Sequence, residues 1–353
     1  MDKQIKYTKS SLRPDAKFVD VANSLRRDIV QGVWLPEQKL PTWDILCKRF
    51  SVARPTLTRA LAMLKREGFI AADSTRSTLV TTAPPHLNRY ALVFPSSPGR
   101  KGVCGWNLFW DSLAQSASDN DIWAPSHIDI QFNVHANTNS EIYQKILDDL
   151  RKYCLAGAFV AYGEDLKDLV SINDIPIVRL FAGTPFKGKQ SSVGLNWRSF
   201  HQQAADALLE RGCRKVAVLS NDSSAADECA QILGERGVII HPRWVLCLPG
   251  TMPEYARNLT RLLVTKEQYE IPDGLIITDD NLVPAALAGA LDEGRRIPDD
   301  LEVVAHCNWP GPPSPMLHIM RLGFSARQIL SEGFRLMKKS QDENFAEETV
   351  CIA

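Results

Sequence analysis

Apolar residues recur at helical spacing near the start of the chain. One stripe consists of Phe18, Val21, Leu25 and Ile29. Because residues three and four apart share one face of a helix, this stripe predicts an amphipathic helix that ends at Gly32. The residues before it, 1–16, are polar and mixed in charge, and we interpret them as a flexible arm.

Two further helices and a hairpin are predicted before residue 81. Thr42 follows a proline and can cap a short helix over residues 43–50, and a leucine stripe then continues to Gly68. The apolar run 69–72 and the run 79–81 flank a polar turn, which predicts a small hairpin, or wing. Three helices and a wing within residues 1–80 predict a winged helix-turn-helix, an α+β fold.

From residue 89 onward, apolar β-type runs alternate with helical patterns. Strands are expected at 90–94, 128–132, 158–161, 176–181, 216–219, 244–248, 274–278 and 303–306, and the run VGLN, residues 193–196, is interpreted as a further strand. Helices are expected at 106–120, 140–153, 197–211, 225–236, 254–264 and 282–293. This alternation predicts an α/β unit with two parallel sheets of four to six strands, hence two lobes, over residues 89–353. The polar, proline-containing stretch 81–88 is interpreted as a linker, and the tail 349–353 is a candidate last strand.

Charge is distributed unevenly although the whole chain is neutral. Residues 1–80 hold 15 Lys and Arg against 8 Asp and Glu, and the remainder holds 26 against 33. A basic head on an acidic body suggests that the head alone binds a polyanion. The eight cysteines form no CxxC pair and lie at no zinc-finger spacing, so we expect reduced thiols, no metal site and no cofactor.

The head resembles the DNA-binding domain of the GntR family. The stretch LRRDIVQGVWLPEQKLPTWDILCKRFSVARPTLTRALAMLKREGFI carries that family's skeleton of LR, G, P, LP, R, T, AL and EG positions in order. The resemblance implies that the third helix enters the major groove of operator DNA. The family's usual Ser-Glu-Arg run after LP is here Thr42, Trp43 and Asp44, which makes the fold a firmer expectation than the family's usual operator sequence.

Five residues of the head are candidates for DNA contact: Thr42, Arg54, Thr56, Arg59 and Arg76. Arginine can bond bidentately to guanine, and threonine can contact a phosphate or a thymine methyl group. Arg76 lies in the turn of the wing, where a minor-groove or phosphate contact is expected. For each basic residue the alternative is a solvated surface charge.

The body resembles the sensor domain of LacI-type repressors and periplasmic sugar-binding proteins. Two segments carry the resemblance, HQQAADALLERGCRKVAVLS and PDGLIITDDNLVPAALAGALDEGRRIPDDLEVVAH. It implies a ligand cleft between two lobes that closes by a hinge motion. A GntR-type head on such a body resembles the arabinose-responsive regulator subgroup.

Ligands of parallel sheets sit beyond the carboxyl ends of strands, so polar residues at those ends are candidates for effector contact. They are Ser96, Asn196, Asn221, Asp222, Asp279 and Asn308. Arg179, embedded in the apolar run IPIVRLF, is a further candidate, with a buried acid or a dimer interface as its alternative partner. Trp106 could lie against a sugar ring or belong to the core. Asp280 resembles a family aspartate that stabilises the strand-to-helix turn, which favours Asp279 for the ligand. An arginine that the family often places after the VAVLS strand is absent from SSAADECAQ. A sugar is the expected effector, and another polar metabolite is the alternative.

These patterns and the two resemblances predict a ligand-responsive bacterial transcription regulator. We expect it to form a homodimer and to repress transcription by binding operator DNA. The chain shows no GxGxxG after a strand, no GxxxxGK[ST], no GxSxG and no HExxH, so an enzyme is not expected. The absence of a signal sequence and of a long apolar run predicts a cytoplasmic protein without a membrane partner, and with the basic head it excludes a periplasmic binding protein. The alternative left open is a repressor or architectural protein whose cleft no longer binds a ligand.

Overall fold

The fold is described from a computed structural model. It covers residues 14–72, 77–97, 107–134, 140–161, 169, 175–181, 191–248, 252, 254–311, 318–340 and 348–352. Within these ranges, no helix is both long and apolar enough to span a membrane.

Three helices and a two-stranded antiparallel hairpin form the head. The helices are Pro14–Val30, Trp43–Phe50 and Arg54–Arg66, and the strands are Ile70–Ala72 and Thr78–Val80. The predicted apolar stripes meet in one core, where Leu25, Leu57 and Phe69 are fully buried. The winged helix-turn-helix is therefore confirmed. Thr42 occupies the N-cap position of the second helix as expected, but its side chain makes no capping hydrogen bond.

The stretch 81–88 is packed against the head. Pro85–Asn88 forms a helical turn, and the ring of His86 stacks on Phe69 with centroids 5.8 Å apart. The Thr81 hydroxyl donates to the carbonyl oxygen of Gly68 at 2.7 Å. These contacts tie much of the expected linker to the head core.

The body contains two parallel sheets. The six-stranded first sheet has the spatial order Thr349–Ile352, Ser192–Leu195, Ile177–Leu180, Gly157–Ala161, Arg89–Val93 and His127–Gln131. The five-stranded second sheet has the order Met320–Ser325, Glu302–Trp309, Gly274–Ile277, Val216–Ser220 and Val245–Cys247. Every adjacent pair in both sheets is parallel.

Helices cover the sheets, as the alternation predicted. They are Asn107–Ala117, Asn120–Trp123, Glu141–Arg151, Trp197–Glu210, Ser223–Glu235, Tyr255–Val264, Val283–Asp292 and Ala326–Lys339, with 3-10 turns at Pro242–Trp244 and Asp280–Leu282. Central strands such as Gly157–Ala161 and Val216–Ser220 are buried along their whole length. Burial on both faces explains their continuous apolar runs.

The chain crosses between the sheets twice. It leaves the first sheet after Ser192–Leu195 and enters the second through the helix Trp197–Glu210. It returns after Met320–Ser325 through the helix Ala326–Lys339, which packs on the first sheet, and the tail strand Thr349–Ile352 joins that sheet at its edge. The candidate last strand is thereby confirmed, whereas Met320–Ser325 was not predicted.

Candidate functional site

The start of the third helix forms an exposed basic surface on the head. Ala53 occupies the N-cap position and Pro55 lies in the first turn, which suits the missing N–H of proline. The Arg54 side chain is 69% exposed, and its Nη2 atom lies 2.9 Å from Asp44 Oδ1 on the second helix. The pKa of Asp44 is lowered by this hydrogen bond from Arg54. The pair therefore holds Arg54 at the surface in a defined orientation.

The other DNA-contact candidates lie near this surface in different environments. The Arg59 guanidinium lies over the ring of Phe18, 4.2 Å from its centroid. Thr56 is half-buried, Thr42 is exposed, and Arg76 falls outside the described residues. The guanidinium of Arg59 is thus held against the first helix by a cation–π contact.

A cavity of about 560 Å³ lies where the carboxyl ends of the strands of the two sheets meet. The first sheet and its helix contribute Phe109 and Leu195, and the remaining lining comes from the segments around the second sheet. That lining consists of Trp197, His201, Asn221, Asp222, Ser224, Ala225, Glu228, Thr278, Asp279, Asp280, His306 and Asn308. The volume of the cavity is in the range of pockets that hold small molecules.

Two adjacent aspartates lie at the centre of the polar wall. Asp279 is buried, and its Oδ2 accepts a hydrogen bond from Asn221 Nδ2 at 2.5 Å. Its Oδ1 accepts the backbone N–H of Asn281 at 2.9 Å, which caps the 3-10 turn that begins at Asp280. Asp280 Oδ2 accepts from Asn308 Nδ2 at 2.8 Å. The turn is therefore stabilised by Asp279, the reverse of the assignment expected from the resemblance, and both carboxylates line the cavity.

Burial and mutual repulsion alter the protonation of this pair. Burial raises the pKa of Asp279. Burial, and next the charge of Asp279, raise the pKa of Asp280 to about 7. At neutral pH Asp280 is therefore partly protonated.

Two buried histidines form the wall beside the aspartates. His201 Nδ1 lies 2.9 Å from Glu228 Oε2, and burial lowers its pKa although Glu228 opposes this shift. His306 packs against the indole of Trp197, with ring centroids 4.9 Å apart, and burial lowers its pKa to about 3. Both imidazoles are therefore neutral at pH 7. The Nε2 atoms of both rings are buried without a hydrogen-bond partner among the described residues.

Four of the candidate effector residues meet at the cavity, namely Asn221, Asp222, Asp279 and Asn308. Asp222 also caps the helix Ser223–Glu235 through the N–H of Ala225 at 2.8 Å. Asn308 lies inside the strand Glu302–Trp309, which extends further than predicted.

Three other candidates do not line the cavity. Asn196 caps the helix Trp197–Glu210 by accepting the Ser199 N–H at 3.0 Å. Ser96 is buried beyond the strand Arg89–Val93, and Arg179 lies within a strand of the first sheet. Trp106 falls outside the described residues.

Several lining residues were not among the sequence candidates. Trp197, His201 and Glu228 lie on helices, where spacing alone does not separate a cavity wall from a core face. Trp197 could have been found from the sequence, because it directly follows Asn196, which was already a strand-end candidate.

Comparison with known proteins matches the two parts of the chain separately. Residues 18–80 match the model of bacterial regulatory proteins of the gntR family, and residues 205–317 match the periplasmic binding protein-like domain. The chain joins a GntR-type helix-turn-helix domain to a periplasmic-binding-protein-like domain. In this GntR-type head the sequence prediction of the DNA-binding fold is confirmed.

Among curated relatives, the transcriptional repressor PurR of Histophilus somni is 23% identical over 61% of this chain and 68% of its own length. The catabolite control protein A of Staphylococcus xylosus is 22% identical over 69% of this chain and 74% of its own. A LacI family regulator from Lactobacillus casei, solved with bound glucose, has a TM-score of 0.52 at 16% identity, covering 74% of this chain and 96% of its own. The solved structure supports the two-sheet fold of the periplasmic-binding-protein-like domain, and the relatives are transcription regulators.

Proposed function

We propose that the chain is an effector-responsive transcriptional repressor that binds operator DNA through its GntR-type head and a small polar molecule in the cavity between its two sheets. The observation that carries the proposal is the presence, on one chain, of an exposed arginine at the start of a recognition helix and of a cavity lined by buried polar groups. Residues 1–80 are assigned to DNA binding, 81–88 to the joint and 89–353 to effector binding and dimerisation.

The head would read DNA as a symmetric pair. Two copies of the chain, joined through the body, would present two recognition helices to a roughly palindromic operator. Arg54 and Thr56 would face base edges, while Thr42, Arg59 and Arg76 would contact the backbone or the minor groove. Since phosphate contacts release counterions, affinity should fall steeply with rising salt.

The cavity would transmit the effector signal. A ligand that contacts both Phe109 of the first sheet's helix and Asp279 of the second sheet's wall stabilises the closed arrangement of the two sheets. The segment 81–88, which leads into the body, packs on the head, so closure would change the spacing of the two heads in a dimer. A sugar or a related polyol is the class that the LacI-type relatives suggest.

The test begins with the full chain and a pool of random-sequence DNA duplexes. Repeated selection should enrich one palindromic sequence, and fluorescence anisotropy should then show affinity that falls with salt. A thermal-shift screen of sugars, polyols, nucleosides, amino acids and amines follows, since ligand binding at moderate excess raises stability by about 1–3 kcal/mol.

Each stage has an outcome that overturns its part of the proposal. A selection that enriches no sequence overturns sequence-specific DNA binding. Ligands that bind but leave the affinity for the selected duplex unchanged overturn the effector role, and a screen without any binding favours a repressor with an inactive cavity.

A further inference from the structure

The Asp279–Asp280 pair has no positive partner among the residues that the structure describes. The hydrogen bonds to the two carboxylates come from the neutral amides Asn221, Asn281 and Asn308. A carboxylate pair of this kind, with Asp279 buried and Asp280 half-buried, is costly unless a proton or a cation neutralises it.

The remaining acids of the cavity wall are already compensated. Glu228 Oε1 accepts from Arg198 Nη1 at 2.9 Å, and its other oxygen bonds His201. Asp222 lies at the N-terminus of the helix Ser223–Glu235, where the helix dipole favours a negative charge. The uncompensated charge is therefore confined to Asp279 and Asp280.

A second observation points to a missing hydrogen-bond donor at the same place. Asn308 is 2% exposed and lines the cavity, and its Nδ2 donates to Asp280. Its Oδ1 atom is buried and has no hydrogen-bond partner in the part of the chain that the structure describes. Buried polar atoms in folded proteins are nearly always paired, so an unpaired acceptor at a cavity wall suits a donor on a ligand.

The apolar and aromatic part of the lining suits an organic cation better than a metal ion. Phe109, Leu195 and Trp197 are apolar or aromatic, and an indole face attracts cations. Among the described residues no group of three or more histidine, cysteine or acidic side chains could hold a metal ion. No lysine or arginine is found among the described lining residues either.

We propose that the effector is an organic cation carrying N–H donors, an amine or guanidinium compound, whose charged group is bound by Asp279, Asp280 and Asn308. This inference rests on the proposed function, because it takes the cavity between the two sheets as the effector site. It differs from the sugar suggested by the relatives in requiring a positive charge.

Binding of such a cation has a characteristic pH dependence. Without ligand, Asp280 holds a proton up to about pH 7, and a bound cation favours its release. Affinity for a permanently protonated amine should therefore rise about tenfold from pH 6 to pH 8. Among the described residues, the other titratable groups of the lining are Asp222, Glu228, His201 and His306. Arg198 pairs with Glu228, and the thiol of Cys307, next to Asn308, lies beside Arg321.

The experiment compares matched pairs of probes by calorimetry with the full chain at pH 6 and pH 8. The pairs are D-glucamine and D-sorbitol, putrescine and 1,4-butanediol, and arginine and citrulline. The charged member of at least one pair should bind ten times more tightly or better, with proton release at pH 6. Asp279→Asn and Asp280→Asn should remove the preference, whereas Asp227→Asn, an exposed acid on the neighbouring helix, should keep it.

Four outcomes overturn the inference. If no charged probe binds better than its neutral partner, the cation requirement falls. If neutral probes alone bind and change DNA affinity, the proposed function stands and only the cation inference fails. If Mg²⁺ or Ca²⁺ alone stabilises the protein through Asp279 and Asp280, the site is a metal site. A protein that binds none of these probes and keeps the same DNA affinity with each fails both tests.

Discussion

Arg54 and Asp44 form an ion pair of 2.9 Å between the two helices of the helix-turn-helix, and both side chains are about 70% exposed. The pair lies on the surface that would meet DNA. Its carboxylate orients the guanidinium and, at the same time, adds a negative charge next to phosphates. The two effects oppose each other, so substitutions at the two positions should have opposite consequences.

Replacing Arg54 by alanine should weaken binding to the selected duplex by roughly 5- to 100-fold and reduce discrimination against base changes at one position. Fluorescence anisotropy with the selected and single-base-changed duplexes measures both quantities. Arg66→Ala is the matched control, because Arg66 is exposed at the far end of the same helix. Equal losses of affinity on all duplexes would indicate that Arg54 contacts a phosphate and not a base.

Replacing Asp44 by asparagine should raise the affinity for DNA of any sequence about 2- to 10-fold at low salt, because a charge that repels phosphate is removed. Discrimination between duplexes should fall, since Arg54 loses its fixed orientation. Competition binding at two salt concentrations measures this. Unchanged affinity for non-specific DNA would place Asp44 away from the phosphates.

The protonation of Asp280 should appear in the stability of the ligand-free protein. Its pKa is raised from 3.8 to about 7, so the stabilisation from the neutral form is lost as pH rises from about 4 to about 7. Buried histidines such as His306 act in the opposite direction on acidification. The difference in unfolding free energy between wild type and Asp280→Asn isolates the carboxyl group, and it should slope by at most about 1.4 kcal/mol per pH unit. If the difference in unfolding free energy between wild type and Asp280→Asn is constant with pH, the raised pKa of Asp280 is contradicted.

Two helices of the body touch at a glycine. A Cβ atom on Gly289 would lie 2.2 Å from the carbonyl oxygen of Arg257, whereas one on Gly234 would meet nothing within 4 Å. Gly289→Ala should therefore lower the free energy of unfolding by about 1–3 kcal/mol, and Gly234→Ala should raise it by about 0.5–1 kcal/mol. Urea denaturation of the two variants gives both values. Effects of the same sign would contradict the close contact.

The thiol of Cys154 reports on the packing between head and body. Cys154 is 2% exposed and belongs to the hydrophobic cluster of the head, and burial raises its pKa to about 12. Since the thiolate is the reactive form, iodoacetamide should label exposed Cys351 much faster than Cys154.

Phe69→Ala tests this packing, because Phe69 is fully buried in the same cluster. The substitution should speed the labelling of Cys154 and leave buried Cys229, in the helix Ser223–Glu235, unchanged. Peptide mass mapping after timed labelling separates the sites. Equal acceleration at both cysteines would indicate global unfolding instead.

Sequence patterns were sufficient for most of the fold, because the buried strands and amphipathic helices have strong periodicity. The strand Met320–Ser325 was missed, since its residues are mostly half-buried and include Arg321 and Gly323. At the cavity, strand-end residues such as Asn221 and Asp279 were predictable from the rule for parallel sheets.

Other features of the cavity depend on contacts that no local sequence pattern encodes. Asp279 rather than Asp280 stabilises the turn, because the Asp279 carboxylate accepts the N–H of Asn281. The two aspartates are adjacent in the chain, so a sequence pattern does not show which of them takes this role. His201 and His306 are 105 positions apart along the chain, so no local pattern brings them to one wall.

The docking of 81–88 and of Cys154 on the head has a practical consequence for exchanging domains between regulators. A cut after residue 80 removes His86 from Phe69 and Cys154 from the core that it helps to fill. A chimaera made at that position would expose apolar residues of the head core to solvent. Its head would be destabilised for reasons unrelated to DNA or ligand binding. Functional exchange requires the segment 81–88 and the turn that carries Cys154 to travel with the head.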